Sequence, residues 1–184
     1  MLAAGAIAVL YVLFAAASKP EPSTGLMRFA RGDMARLGVL QDAPPLPSRT
    51  LRGADGAETT LHAYVGEVLV LNLWATWCAP CMEEMPTLAE LQRRFEGRLR
   101  VIPVSVDSEA DRERAQRELA ELSGGSLPVL IDISRGVLFD ARAAGMPVTI
   151  IYNRRGEEVA RLAGGADWSS DEAVALMEAV LTEG

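Results

Sequence analysis

Histidine, lysine and cysteine are nearly absent from this 184-residue chain, and each scarcity removes a class of chemistry. The single histidine, His62, excludes zinc hydrolase sites built on two or three histidines, and any Ser-His-Asp site that does not use it. The sole lysine, Lys19, lies close to the N-terminus, so the folded part has no lysine chemistry at its disposal. Basic excess is also missing: 18 Lys+Arg stand against 25 Asp+Glu, a net charge of -7, which argues against a general nucleic-acid binder. Aromatic residues make up only 5%, so a core drawn from the 49% of hydrophobic residues must be mostly aliphatic. That hydrophobic share in turn excludes intrinsic disorder. Two cysteines are left, Cys78 and Cys81, three residues apart.

Residues 1–17 carry no charged side chain. As a helix they would span roughly 25 Å at ~1.5 Å per residue, the short limit for a hydrocarbon core of about 30 Å. A transmembrane signal-anchor is the preferred reading. A cleaved signal peptide is the second, because Ala15, Ala16 and Ala17 before Ser18 suit a small-residue cleavage site. A buried core helix is the third. Lys19, Arg28, Arg31 and Arg36 all follow the segment, and this charge pattern alone does not fix its orientation. Residues 18–45, with Pro20, Pro22, Pro44 and Pro45, read as a Pro-rich stalk containing one short helix. Residues 46–184 are expected to form the folded domain, and nothing in them calls for more than a monomer.

Within that domain, Asp55-Gly56 between residues 50–51 and 59–61 is a two-residue hairpin signal. Residues 68–74 form a near-continuous apolar run, as in a strand buried on both faces. Residues 78–95 have helical periodicity, with Pro86 expected to kink the helix. A strand over 101–106 follows, in which Pro103 favours a sheet edge or a strand start. Then come a helix over 111–122, a short strand or loop over 127–133 and a helix over 136–144. Strands over 148–153 and 157–162 and a closing helix over 169–182 complete the order. The pattern predicts an α/β fold: a central mixed sheet flanked by helices, with an N-terminal β-hairpin extension.

Cys78-Ala79-Pro80-Cys81 follows the buried strand and opens the helix, a thioredoxin-type redox arrangement. At the helix N-terminus, unpaired N–H groups and the helix dipole favour a Cys78 thiolate. Cys81, one turn on, is placed to form the disulfide with it as the sheltered resolving thiol. Pro80 sits in the first turn, where a missing N–H does no harm. A four-ligand Cys/His zinc site cannot be assembled from these residues, although a Cu(I) site of two thiolates with His62 remains open. An inert structural disulfide is disfavoured, since so short a loop contributes little through chain entropy.

The run 72–81, NLWATWCAPC, resembles the TlpA-like branch of the thioredoxin superfamily, the ResA/CcmG-type membrane-anchored thiol:disulfide oxidoreductases. The similarity continues through Glu83-Glu84-Met85-Pro86 and Gly145-Met146-Pro147-Val148-Thr149. It implies a thioredoxin-like fold, a redox-active Cys78–Cys81 disulfide in place of any cofactor or metal, and a cis Pro147 beside it. Met146 would then offer backbone groups to a client peptide. Glu84 matches a buried glutamate that could carry a raised pKa and move protons for Cys81, while neighbouring Glu83 is read as solvated. Asn72 stands where ordinary thioredoxins have a buried aspartate, which shifts any base function toward Glu84. Trp74 and Trp77 are read as packing residues beside the site, Trp77 partly exposed as contact surface. His62 is read as a surface residue, and Trp168 as closing the core edge without chemistry.

The resemblance implies a protein-disulfide reductase anchored in the inner membrane with its catalytic domain in the periplasm. Its clients would be apocytochrome c or a copper-site assembly factor of an oxidase, its electron source a membrane donor of the DsbD or CcdA kind. A disulfide-introducing oxidase of the same fold and a Cu(I) chaperone using Cys78 and Cys81 are the alternatives. A peroxiredoxin is disfavoured because Ala75 occupies the position where threonine would precede its cysteine by three residues.

Overall fold

A computed structural model describes residues 24–183 of the protein. The expected anchor or signal segment, residues 1–17, lies outside the described residues. Within them no helix is long and apolar enough to cross a membrane.

The described strands are β1 (Leu37–Gly38), β2 (Leu51–Gly53), β3 (Glu58–Thr59), β4 (Val68–Trp74), β5 (Leu99–Ser105), β6 (Leu130–Ile131), β7 (Val148–Tyr152) and β8 (Glu158–Ala163). They form one eight-stranded sheet in the order β1-β8-β7-β4-β5-β6-β2-β3. The helices are α1 (Ala79–Arg94), α2 (Arg112–Ser123), α3 (Gly136–Asp140) and α4 (Asp171–Glu183). Strands β4, β5 and β6 run parallel, joined by crossovers through α1 and α2, while β7 pairs antiparallel with β4 and β8 with β7. This is the mixed sheet that alternating strand and helix patterns predict.

All seven residues of β4 are buried, so its near-continuous apolar run belongs to the sheet centre rather than an edge. Each aliphatic side chain buried there contributes about 1.5–3 kcal/mol. Asn72 is the polar exception, and it faces the site described below. Pro103 corrects a simple expectation: β5 lies inside the sheet, not at its edge. The strand tolerates it because β6 pairs with β5 only at Val104 and Ser105, leaving one flank of residue 103 without a partner strand. Helix α1 likewise continues through exposed Pro86 as far as Arg94.

Three further details depart from the sequence reading. Gly53 N–H donates to Ala57 O at 2.9 Å, so the first hairpin closes with three residues rather than two, and Gly56 supplies a φ of +81°. Helix α3 stops at Asp140 rather than near residue 144, because Arg142 turns to a φ of +50°. Most significantly, the fold extends well upstream of Leu46. Leu26, Met34 and Leu37 are fully buried, and β1 pairs with β8 through Leu37 and Leu162. Two 3-10 turns, Thr24–Phe29 and Gly32–Met34, pack on α4. The described part of the expected stalk is therefore a strap across the domain.

Candidate active site

Cys78 and Cys81 are joined in a disulfide with a Cα–Cα separation of 5.3 Å. Cys78 is the N-cap of α1, with extended backbone, and its carbonyl accepts the N–H groups of Cys81 and Met82. The two sulfurs differ in surroundings: Cys81 is wholly buried, whereas Cys78 is 7% exposed and borders open space. The approach to Cys78 is fixed by a second buried carboxylate. Asp107 accepts the Thr76 N–H at 3.0 Å, the Thr76 hydroxyl at 2.9 Å and the Ser105 hydroxyl at 2.7 Å. Those bonds satisfy both oxygens of a buried carboxyl group and anchor the loop that carries Trp77 and Cys78.

A groove of about 480 Å³ opens at Cys78, walled by Trp77, Ala79, Pro80, Leu138, Ala144 and Met146. Among the described residues no charged one lines it, and Trp77 is 61% exposed at its rim. Its far wall is well fastened. Asp132 accepts the Val137 N–H at 2.7 Å at the start of α3, the Arg49 guanidinium pairs with Asp140 through two bonds of 2.7 and 2.8 Å, and Arg161 donates to Ala141 O at 3.0 Å. The Met146–Pro147 peptide bond is cis, Pro147 is buried, and its carbonyl accepts the Gly164 N–H at 2.8 Å.

Behind the disulfide lies Glu84, only 3% exposed. Asn72 Nδ2 donates to Glu84 Oε1 at 2.7 Å, while Ala166 N–H at 3.1 Å and Trp168 Nε1 at 3.3 Å donate to Oε2. Burial pushes the carboxyl from an ordinary 4.5 up to about 7, against the opposing pull of those three donors and of the Arg36 charge. Asn72 Nδ2 also donates to Thr149 Oγ1 at 2.9 Å, which leaves the buried Asn72 Oδ1 without a partner. Glu84 is therefore a buried acid one turn from Cys81 rather than a solvated helix carboxylate.

The structure thus brings Asn72, Cys78, Cys81, Glu84, Trp77, Ala79, Pro80, Met146 and Pro147 to two flanks of the start of α1. Trp74, the last residue of β4, is buried and absent from the groove wall. His62 is exposed on the 3-10 turn Leu61–Tyr64. Among the described residues no three His, Cys, Asp or Glu side chains gather as a metal site would need. Trp168 needs correction: it is fully buried, and its indole is one of the donors to Glu84. Thr149 and the Ala166 N–H were not foreseen at all. The GMPVT run held a signal for Thr149, whose strand faces β4 with Asn72 as its register partner.

The family model for the AhpC/TSA family matches residues 43–158. The thioredoxin-like protein YneN of Bacillus subtilis is 32% identical over 117 residues, covering 64% of this chain and 68% of that protein. The thiol-disulfide oxidoreductase ResA of the same organism is 26% identical over 126 residues, covering 68% and 69% respectively. Among solved structures, a Chlorobium tepidum protein assigned as the thiol:disulfide interchange protein DsbE superposes with a TM-score of 0.68. It is 23% identical and covers 77% of this chain and 99% of its own, a likeness of fold. With its Cys-x-x-Cys pair at the head of α1 and the family model spanning most of the folded region, the chain belongs to the AhpC/TSA family.

Proposed function

We propose that the protein is a thiol:disulfide oxidoreductase that reduces disulfides in client proteins. The observation that carries this reading is the disulfide at the head of α1, its one accessible sulfur in an uncharged groove and its buried sulfur one turn from an acid of pKa about 7.

In the reduced protein the Cys78 thiolate attacks one sulfur of a client disulfide, forming a mixed disulfide and expelling the other client sulfur as thiolate. Cys81 then attacks Cys78 Sγ. The Cys78–Cys81 bond forms, the mixed disulfide breaks, and the second client sulfur leaves; two electrons have passed to the client. Before this step Cys81 must lose a proton in a site closed to solvent, and Glu84 accepts it. Asn72 fits both states of that acid. Its Nδ2 serves the carboxylate, and rotation of the amide would turn the unpartnered Oδ1 toward the proton of the neutral acid.

The groove suits an extended client segment beside Met146, with Trp77 as contact surface. The relative ResA is a thiol-disulfide oxidoreductase by name, and the resemblance of residues 72–86 and 145–149 supports the finer reading: apocytochrome c or copper-site cysteines as clients, the domain facing the periplasm, residues 1–17 as anchor and a DsbD- or CcdA-type protein as electron source. The decisive measurement is the reduction potential of the Cys78–Cys81 pair. A value near thioredoxin's ~-270 mV or below is expected; one near ~-120 mV would make the protein an oxidant and reverse the proposal.

A further inference from the structure

The polar flank of α1 is shaped by a residue of the strap. Arg36 follows the second 3-10 turn, and its Nη2 donates to the carbonyl of Gly165. Its guanidinium lies flat on Gly164: a Cβ there would meet Arg36 Cζ at 3.2 Å, and Gly164 has a φ of +87°. On its other side the turn rests on the cysteine motif, since a Cβ at Gly165 would meet Pro80 O at 3.3 Å. The next residue, Ala166, is the one whose N–H bonds Glu84. A pocket of about 520 Å³ leads from solvent to this place, lined by Asp33, Arg36, Glu83, Glu84, Thr87 and Asp167 among others.

We propose that Arg36 is a positioning residue for Glu84: it clamps the glycine turn that presents the Ala166 N–H and places a positive charge, the one among the pocket's described lining residues, at the acid's entrance, keeping the acid ready to accept a proton. The surrounding charges make that role specific. Asp33 of the second 3-10 turn, Glu83 of α1 and Asp167 of the loop before α4 all line the pocket with Arg36. Asn72 from β4 and Thr149 from β7 are neutral, and Cys81 is held in the disulfide. Among the described residues Arg36 is the one cation that lines the pocket, and its charge acts to lower the pKa that burial raises. The strap therefore contributes to the chemistry as well as to the fold.

The inference rests on the proton-carrying role given to Glu84 above, but its test needs no turnover. In the oxidised full chain, the indole N–H resonance of Trp168, which bonds Glu84 directly, reports the ionisation of the acid across pH. Arg36→Gln and Arg36→Met should each move that midpoint upward by about half a pH unit, the effect of one partly screened charge and a loosened donor. Arg36→Lys, which keeps the charge but loses the planar fork, should fall between them and the wild type. Midpoints in both Arg36→Gln and Arg36→Met equal to the wild type would overturn the proposal, whatever happens to Tm. Should Glu84→Gln leave the exchange rate and its pH profile intact, the catalytic reading of Glu84 falls separately, and the titration still decides what Arg36 does to the acid.

Discussion

Helix α1 begins between two basins that share Pro80 in their walls and little else. On the sulfur side the groove is uncharged, with Trp77, Leu138 and Met146 around the partly open Cys78. On the proton side three carboxylates and one guanidinium surround Glu84. On the proposed reading, the difference gives electrons and protons separate entrances. A client joined to Cys78 covers the groove and shuts out water, which favours the exchange but would trap any proton released there. An acid that communicates with solvent on the opposite flank can discharge while the client is still bound. An ordinary active-site carboxylate placed inside the groove could not.

The largest effects should come from breaking the sulfur side. Cys78→Ser should abolish client reduction, while Cys81→Ser should accumulate a mixed disulfide through Cys78, visible on non-reducing gels with any disulfide-bearing client. Trapping that depends on Cys81 would invert the assignment of attacking and resolving thiols. The next effect separates the two basins. Glu84→Gln should slow the resolving step about a hundred-fold, the usual scale for a lost general base, and leave formation of the mixed disulfide near its wild-type rate. Equal slowing of both steps in stopped-flow traces would mean that the basins are not functionally distinct.

The same acid leaves a mark on stability. Its pKa is about 7 in the folded protein against an ordinary 4.5, so between those values the folded state holds the proton more tightly than the unfolded chain. Stability must therefore be highest below pH 4.5 as far as this group is concerned, and must fall as pH rises toward 7. The loss is on the order of 3 kcal/mol for a shift of this size. Glu84→Gln removes that slope, so the variant should gain on the wild type from pH 4 to pH 8. Urea denaturation of the oxidised proteins at the two pH values checks it; parallel curves would mean that Glu84 titrates in the folded protein where it does in the unfolded chain, near 4.5.

Much of this architecture was legible because it is periodic or chemically rare. The apolar run of β4, the helical spacing of α1 and the lone pair of cysteines each carry a signal that survives without neighbours. The strap does not. Leu26, Met34 and Leu37 are buried at irregular spacing, because 3-10 turns and a two-residue strand lack the 3.6 or 2.0 periods that betray helices and longer strands. The prolines around them were visible and suggested a stalk. The surroundings of Glu84 were hidden for a related reason. Its partners Trp168 and Ala166 lie more than 80 residues away and reach it only once α4 and β8 are in place, and one of them acts through backbone, which no side chain announces. Asn72 could be placed because it interrupts an apolar strand next to the cysteines.

The smallest predicted effects test whether each basin answers for its own step. Trp168→Phe keeps the buried ring but deletes the 3.3 Å donor to Glu84 Oε2. Losing one of three hydrogen bonds to the carboxylate should raise the acid's midpoint, with a cost of about 1 kcal/mol, and leave client affinity unchanged. Trp77→Ala does the reverse. It strips an exposed aromatic from the groove rim, 61% open to solvent, and so costs client contacts of about 1 kcal/mol, or roughly a five-fold rise in KM. The midpoint of Glu84 should not move, because Trp77 makes no contact with the polar pocket. Crossed outcomes, with Trp168→Phe raising KM or Trp77→Ala moving the pH profile, would show that a bound client reaches through Pro80 to the acid, and that the wall between the basins transmits rather than separates.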